Sequence, residues 1–211
     1  MEIFRDAYNY FLLNQSFFWE ATGDHLILSF SALGISLLVA FPIGLWIAKK
    51  KNISQVVINV FNAMRVVPSL AILFLALPYL GLGFVPSLIA LTVLAFPPVL
   101  ISTYTGIRGV NPSVIESASG MGMTKAQVLT QIEIPLAIPA IVSGIRIASV
   151  EVISSATLAS FIGGGGLGDF ITRGFALYDV PVMLVGAIPV ALLALLSEIF
   201  WSTIIKKYPV Q

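Results

Sequence analysis

Gly163, Gly165 and Gly168 stand at the spacing G-x-G-x-x-G, which in a strand–turn–helix setting cradles a dinucleotide pyrophosphate. Here the segment follows a long apolar run with no βαβ pattern, so it reads as a glycine-rich loop at a membrane face. No G-x-x-x-x-G-K-[ST] run occurs, so the chain offers no P-loop for ATP. There is one histidine, His25, and no cysteine, which excludes thiol redox chemistry and thiolate metal sites. His25 reads as a structural, interfacial residue. Arg65, Arg146, Glu151 and Glu198 fall within or near apolar runs, where a charge costs about 2.5–3.5 kcal/mol at mid-span and therefore asks for a reason. Arg146 is expected to pair with Glu151 or with a partner subunit. Structural ion pairing or snorkelling is favoured over substrate contact, although Glu151 would attract a cationic ligand. Arg65, Pro68, Arg146, Glu151, Gly165 and Gly168 are the candidates for a pathway or gate.

The elements that must hold these residues are set by composition. Of 211 residues, 58% are hydrophobic and 10% charged, which places the chain among polytopic helical membrane proteins rather than soluble domains. The net charge of +1 leaves no basic face for nucleic acid. Five spans are predicted, at about 25–48, 54–79, 84–107, 134–160 and 180–205, preceded by an aromatic interfacial segment at 1–21 and followed by a tail at 206–211. Pro42, Pro68, Pro97, Pro98, Pro139 and Pro189 predict kinked or broken spans. With five spans, Lys49, Lys50, Lys51, Arg108, Lys125, Lys206 and Lys207 share one side, and Arg5 and Arg173 lie on the other. Positive residues mark the cytoplasm, which predicts an outer N-terminus, a cytoplasmic C-terminus and a cytoplasmic 108–135 loop.

That loop holds a compact, partly charged stretch set between long apolar segments, Glu116–Pro135. Asn111-Pro112 is an N-cap followed by a first-position proline, and Thr124-Lys125-Ala126-Gln127 is a capping box opening a second short helix. Gly120 and Gly122 predict a turn between the two, and Pro135 is expected to close the second helix and start the next span. Val114, Ile115, Met121, Met123, Val128 and Leu129 predict an exposed apolar docking surface, with a helix pair lying on lipid headgroups as the competing reading.

The spacing Glu116-x-Ala118-x-x-x-Gly122, then nine residues, then Ile132-x-x-Pro135, resembles the EAA loop of ABC-importer permeases. Ser117 and Ile134 depart from that pattern conservatively. The resemblance implies a type I importer transmembrane domain, all-α and integral to the membrane, whose coupling helix docks in a separate ATPase through Glu116, Ala118, Gly120, Gly122, Ile132 and Pro135. It also implies a dimer of ATP-binding subunits, an extracytoplasmic substrate-binding protein, and a second permease copy or a paralogous permease within a bacterial or archaeal cytoplasmic membrane. ATP and Mg would be bound by the partner, with no cofactor on this chain and no catalysis by it. Val67–Ala71, Tyr104–Ile107, Gly144–Arg146, Ala156–Asp169 and Val185–Val190 are similar to the osmoprotectant branch, which imports glycine betaine, carnitine or choline. A methionine or other amino-acid importer is the nearest alternative, because the glycine segment is similar there too. An ion-coupled secondary transporter and an integral-membrane enzyme are the more distant rivals.

Overall fold

The computed structural model describes residues 2–208, and its elements are all helical: α1 (Glu2–Leu13), α2 (Gln15–Ala48), α3 (Lys51–Met64), α4 (Ser69–Leu80), α5 (Phe84–Arg108), α6 (Pro112–Gly120), α7 (Lys125–Val128), α8 (Ile134–Ala159), α9 (Gly168–Leu177) and α10 (Val180–Lys206). The predicted tail at 206–211 extends past the described residues. Four helical stretches are individually long and apolar enough to cross a membrane: α2, α5, the continuous 125–162 stretch containing α8, and α10.

The second predicted span is a bent pair, with Ile53–Met64 and Ser69–Leu80 meeting at 94°. Pro68 causes the break. A residue before proline is driven out of the helical region, and Pro68 itself takes φ −57°, ψ 137°, an extended cap to α4. The pair still leads from one end of the bundle to the other. It starts beside Lys49, which contacts Glu133 at the root of α8. It ends at Gly83, whose N–H donates to Ile162 O (2.7 Å) beyond the far end of α8. Five passages result. Pro42, Pro97, Pro98, Pro139 and Pro189, expected to kink or break their spans, lie inside helices that continue through them.

Helix α5 is the central post, packed on α2 and α8. Small residues let the backbones approach. A Cβ on Gly44 of α2 would stand 2.8 Å from Thr103 Cβ, and one on Gly144 of α8 would stand 2.4 Å from Ser102 Cβ. In a bilayer, where apolar burial drives little association, such close packing is the main source of helix–helix attraction. Leu28, Ala32, Leu91, Ala95, Val152 and Ala156 fill the core among the three helices.

The N-terminal aromatics do more than meet an interface. Residues 15–21 already belong to α2, and α1 lies against α10. Phe170, fully buried, is met by Phe17 at 5.0 Å and edge-on by Tyr10 at 6.4 Å, while Phe11 stands perpendicular to Phe18 at 4.9 Å.

Candidate coupling unit and membrane pathway

The 111–135 segment folds into a knuckle built by local hydrogen bonds. Ser113 N–H donates to Asn111 Oδ1 (3.0 Å), which starts α6 with Pro112 in its first turn. The helix ends as Met121 N–H reaches Ser117 O and Gly122 N–H reaches Ser119 O, each at 3.0 Å, with Gly122 at φ +89°. Gln127 N–H then donates to Thr124 Oγ1 (3.3 Å) while Thr124 N–H donates to Gln127 Oε1 (2.8 Å), a complete capping box.

Pro135 does not close the second helix, contrary to expectation. The four residues of α7 run into a π turn at Leu129–Glu133 and on into α8 without a break. A proline inside a helix lacks an amide and clashes with the carbonyl four residues back. Widening the turn just before Pro135 keeps the helix continuous. Glu116, Gly120, Gly122 and Pro135 are exposed, and Ile132 is half-buried. Ala118 is only 2% exposed and Val128 is also buried, so these two hold the knuckle together. The apolar surface predicted from six residues therefore contracts to its exposed members, Val114 and Met121. Pro135 lines a groove of about 700 Å³ with Asn111, Val114 and Lys207.

One residue of this unit was not singled out in the sequence. Glu133 is 3% exposed and accepts a hydrogen bond from Lys49 Nζ. A carboxylate between two isoleucines, Ile132 and Ile134, is the signal that could have found it. Lys49, Arg108 and Lys207 all border the knuckle, so basic side chains from three helix ends gather at this end of the bundle.

The intramembrane charges pair differently from expectation. Arg146 does not meet Glu151. Its Nη1 lies 3.3 Å from Glu198 Oε1, joining α8 to α10. Glu151, half-buried on α8, instead has Arg65 as its opposite charge, and Arg65 sits exposed at the break between α3 and α4 beside Pro68. Neutralising one member of the closed pair leaves the other charge in an apolar setting at a cost of about 2.5–3.5 kcal/mol at mid-span. Arg146→Met and Glu198→Gln are each expected to lower the thermal midpoint in detergent by about 5 °C, with the double Arg146→Met/Glu198→Leu recovering most of it.

At the opposite end, the glycine segment is a packing hub. Gly168 is buried, and a Cβ there would sit 2.2 Å from Thr157 O. A Cβ on Gly164 would meet Ser87 Oγ at 2.3 Å, and one on Gly166 would meet His25 at 3.2 Å. Gly165, at φ +73°, has only Asp24 near it. No strand occurs among the described residues, so the glycines lack the setting of a dinucleotide fingerprint. His25, expected at an interface, is 0% exposed under this loop, and its Nε2 lies 3.0 Å from Ile153 O. The carbonyl can only accept, which assigns the proton to Nε2.

Asp169, in the first turn of α9, has its pKa raised above the ordinary carboxylate value by desolvation. Arg173 opposes the rise and Asp24 adds to it. A raised folded-state pKa contributes stability below the unfolded pKa, and that contribution is lost as pH rises through the folded value. Asp169→Asn is therefore expected to stabilise the protein at neutral pH and flatten its stability profile over the acid range, as read by thermal unfolding at several pH values.

With the geometry in view, comparison with known proteins decides the family. The family described as "Binding-protein-dependent transport system inner membrane component" matches residues 40–207. The chain belongs to this family. As a transport-system inner membrane component, it is 47% identical over 177 residues to the carnitine transport permease protein OpuCB of Listeria monocytogenes, covering 84% of this chain and 81% of that protein. It is 46% identical, over 84% of this chain and 82% of the relative, to the glycine betaine/carnitine/choline transport system permease protein OpuCB of Bacillus subtilis. The choline transport system permease protein OpuBB of the same organism is 45% identical over the same shares. Among solved structures, the inward-facing MetNI methionine ABC transporter superposes with a TM-score of 0.81 at 19% identity, covering 92% of this chain and 97% of that one. That likeness establishes the fold of this transport-system component as the type I ABC importer permease domain.

Proposed function

We propose that this permease carries quaternary ammonium osmoprotectants such as glycine betaine, carnitine or choline in an ATP-driven importer. The observation that carries this reading is the 45–47% identity to permeases named for those solutes, over 84% of the chain. The methionine alternative has only the distant structural likeness at 19% identity behind it.

In this reading the knuckle, presenting Glu116, Gly120 and Gly122 from a frame braced by Ala118 and Ile132, seats on a separate ATPase dimer that binds ATP and Mg. The gathering of Lys49, Arg108 and Lys207 around it supports a cytoplasmic position for this end and the C-terminus, and an outer position for the N-terminus. A binding protein delivers solute at the glycine-loop end, and a second copy or a paralogous permease completes the pathway. Arg65 and Pro68, at the bend of the second passage, and Glu151 on α8, whose opposite charge is Arg65, are the pathway candidates. Arg146 serves the α8–α10 contact, and Gly165 and Gly168 shape the outer rim. Closure of the ATPases moves the knuckles and turns the spans from inward-open to outward-open.

Uptake by proteoliposomes holding the permease, its ATPase and its binding protein tests the reading. Saturable, ATP-dependent uptake of labelled glycine betaine, carnitine or choline is expected. Methionine uptake without any of these would overturn the substrate assignment, and uptake independent of the ATPase would point to an ion-coupled carrier.

A further inference from the structure

We propose that Lys49 and Glu133 form a permanent pin that makes the coupling knuckle move with the first span as well as with α8. The inference rests on the proposed docking of an ATPase at the knuckle. Glu133 is the last residue of the π turn, and its carboxylate is almost wholly buried. Lys49, 84 positions earlier in the chain, caps the C-terminus of α2 and donates to Glu133 Oε2. Around this contact, Ala48, Ile107, Ala137 and Ile141 form a separate apolar cluster, joined by Leu129 and Ile134 from the turn and its continuation.

The covalent route from knuckle to membrane is one helix interrupted by a π turn. Helices kink at π turns, so the widened turn is a point where the helix bends more easily. Motion of α6 delivered through that turn alone would be absorbed there. The foot of α2 braces the turn at both ends: Lys49 holds Glu133 at its α8 side, and Leu129 at its knuckle side packs on the cluster that includes Ala48. Higher in the bundle, Gly44 against Thr103 and Gly144 against Ser102 tie α2 and α8 to α5. The foot contact and the glycine contacts together make α2, α5 and α8 a single lever. Arg108 lines the cavity of about 330 Å³ that Lys49 and Glu133 share, a second cation near the carboxylate.

The test uses the assembled complex of permease, ATPase and binding protein in proteoliposomes, reading ATPase co-purification and the ratio of solute transported to ATP hydrolysed. Lys49→Met and Glu133→Gln should each retain the ATPase and hydrolyse ATP, with that ratio falling at least fivefold. The exchange Lys49→Glu/Glu133→Lys should bring it back to within twofold of the parent. Parent-like ratios in both single variants would overturn the proposal. So would loss of the ATPase along with transport, which would make the pair a purely structural support, or an assembled exchange variant that stays uncoupled. If the unsubstituted permease itself recruits no ATPase, the docking assignment fails and the pin is not what failed.

Discussion

Gly122→Val is expected to abolish uptake and cut recovery of the ATPase with the permease at least tenfold, while the permease still inserts in the membrane. Gly122 has φ +89°, a conformation closed to β-branched residues, and no atom stands within 4 Å of where its Cβ would be. The effect would therefore come from the backbone alone. Left-handed conformations cost an L-residue about 1–2 kcal/mol, and 1.4 kcal/mol is a factor of ten in an equilibrium constant. Valine would shift the knuckle toward conformers in which α6 and α7 no longer meet at the same angle, and Met123 N–H would lose its bond to Ala118 O (3.2 Å). Gly120 is the control. It belongs to the same proposed docking surface and is the last residue of α6, with open space around it and an ordinary helical backbone, so Gly120→Ala adds one methyl to that surface without altering the turn and should reduce ATPase recovery clearly less than Gly122→Val does. Equal damage from both substitutions would mean that the ATPase contacts the glycine surfaces themselves and that the turn geometry is secondary.

The second large effect is expected at the other end. Gly168→Ala places a methyl carbon 2.2 Å from Thr157 O and 2.8 Å from its carbonyl carbon. Both belong to backbone, so neither can rotate away, and α9 must shift off α8. Overpacking of this kind costs about 1–3 kcal/mol and more where backbone must move, which corresponds to a fall of about 5–10 °C in thermal midpoint for a chain this size. Gly165→Ala meets only Asp24 Oδ2 at 3.7 Å and carries just the left-handed strain, about 1–2 kcal/mol. Thermal unfolding in detergent with a fluorescent reporter would rank the two. A smaller fall for Gly168→Ala than for Gly165→Ala would show that the loop has slack that the packed geometry denies it.

The parts of the molecule readable in the sequence are those determined within a few residues. The Asn111 cap and the Thr124–Gln127 box are side-chain-to-backbone bonds spanning two or three positions, so residue type and spacing suffice to name them. Spans are readable because lipid demands length and apolarity whatever the neighbours do. Pro68 was in plain view as a breaker, yet the 94° turn it makes depends on what receives α4, namely α5 and α8. The π turn depends on reconciling Pro135 with a continuous helix, a matter of register that no single residue declares. Arg146 with Glu198, and Lys49 with Glu133, are meetings of distant elements, and proximity along the chain pointed Arg146 toward the wrong carboxylate. The same holds for the glycines: Gly165 and Gly168 read as pathway or gate candidates in a loop, and only the neighbours Ser87, His25 and Thr157 reveal that Gly164, Gly166 and Gly168 are packed against something.

Helix α2 has 34 residues and so measures about 51 Å, whereas the hydrocarbon it crosses is about 30 Å thick. Its C-terminal end is fastened at the knuckle by Lys49, so the surplus length emerges at the opposite end. Asp24, beside Gly165, marks the level of the glycine loop, and the nine residues 15–23 climb about 13 Å above it before α1 folds over onto α10. This end of the bundle, the outer one in the proposed orientation, is thus terraced, with a helical parapet on one flank and the glycine loop at a lower level beside it. A binding protein delivering solute at this end, as proposed, would meet a stepped surface whose relief limits its rotational settings before any side chain is recognised.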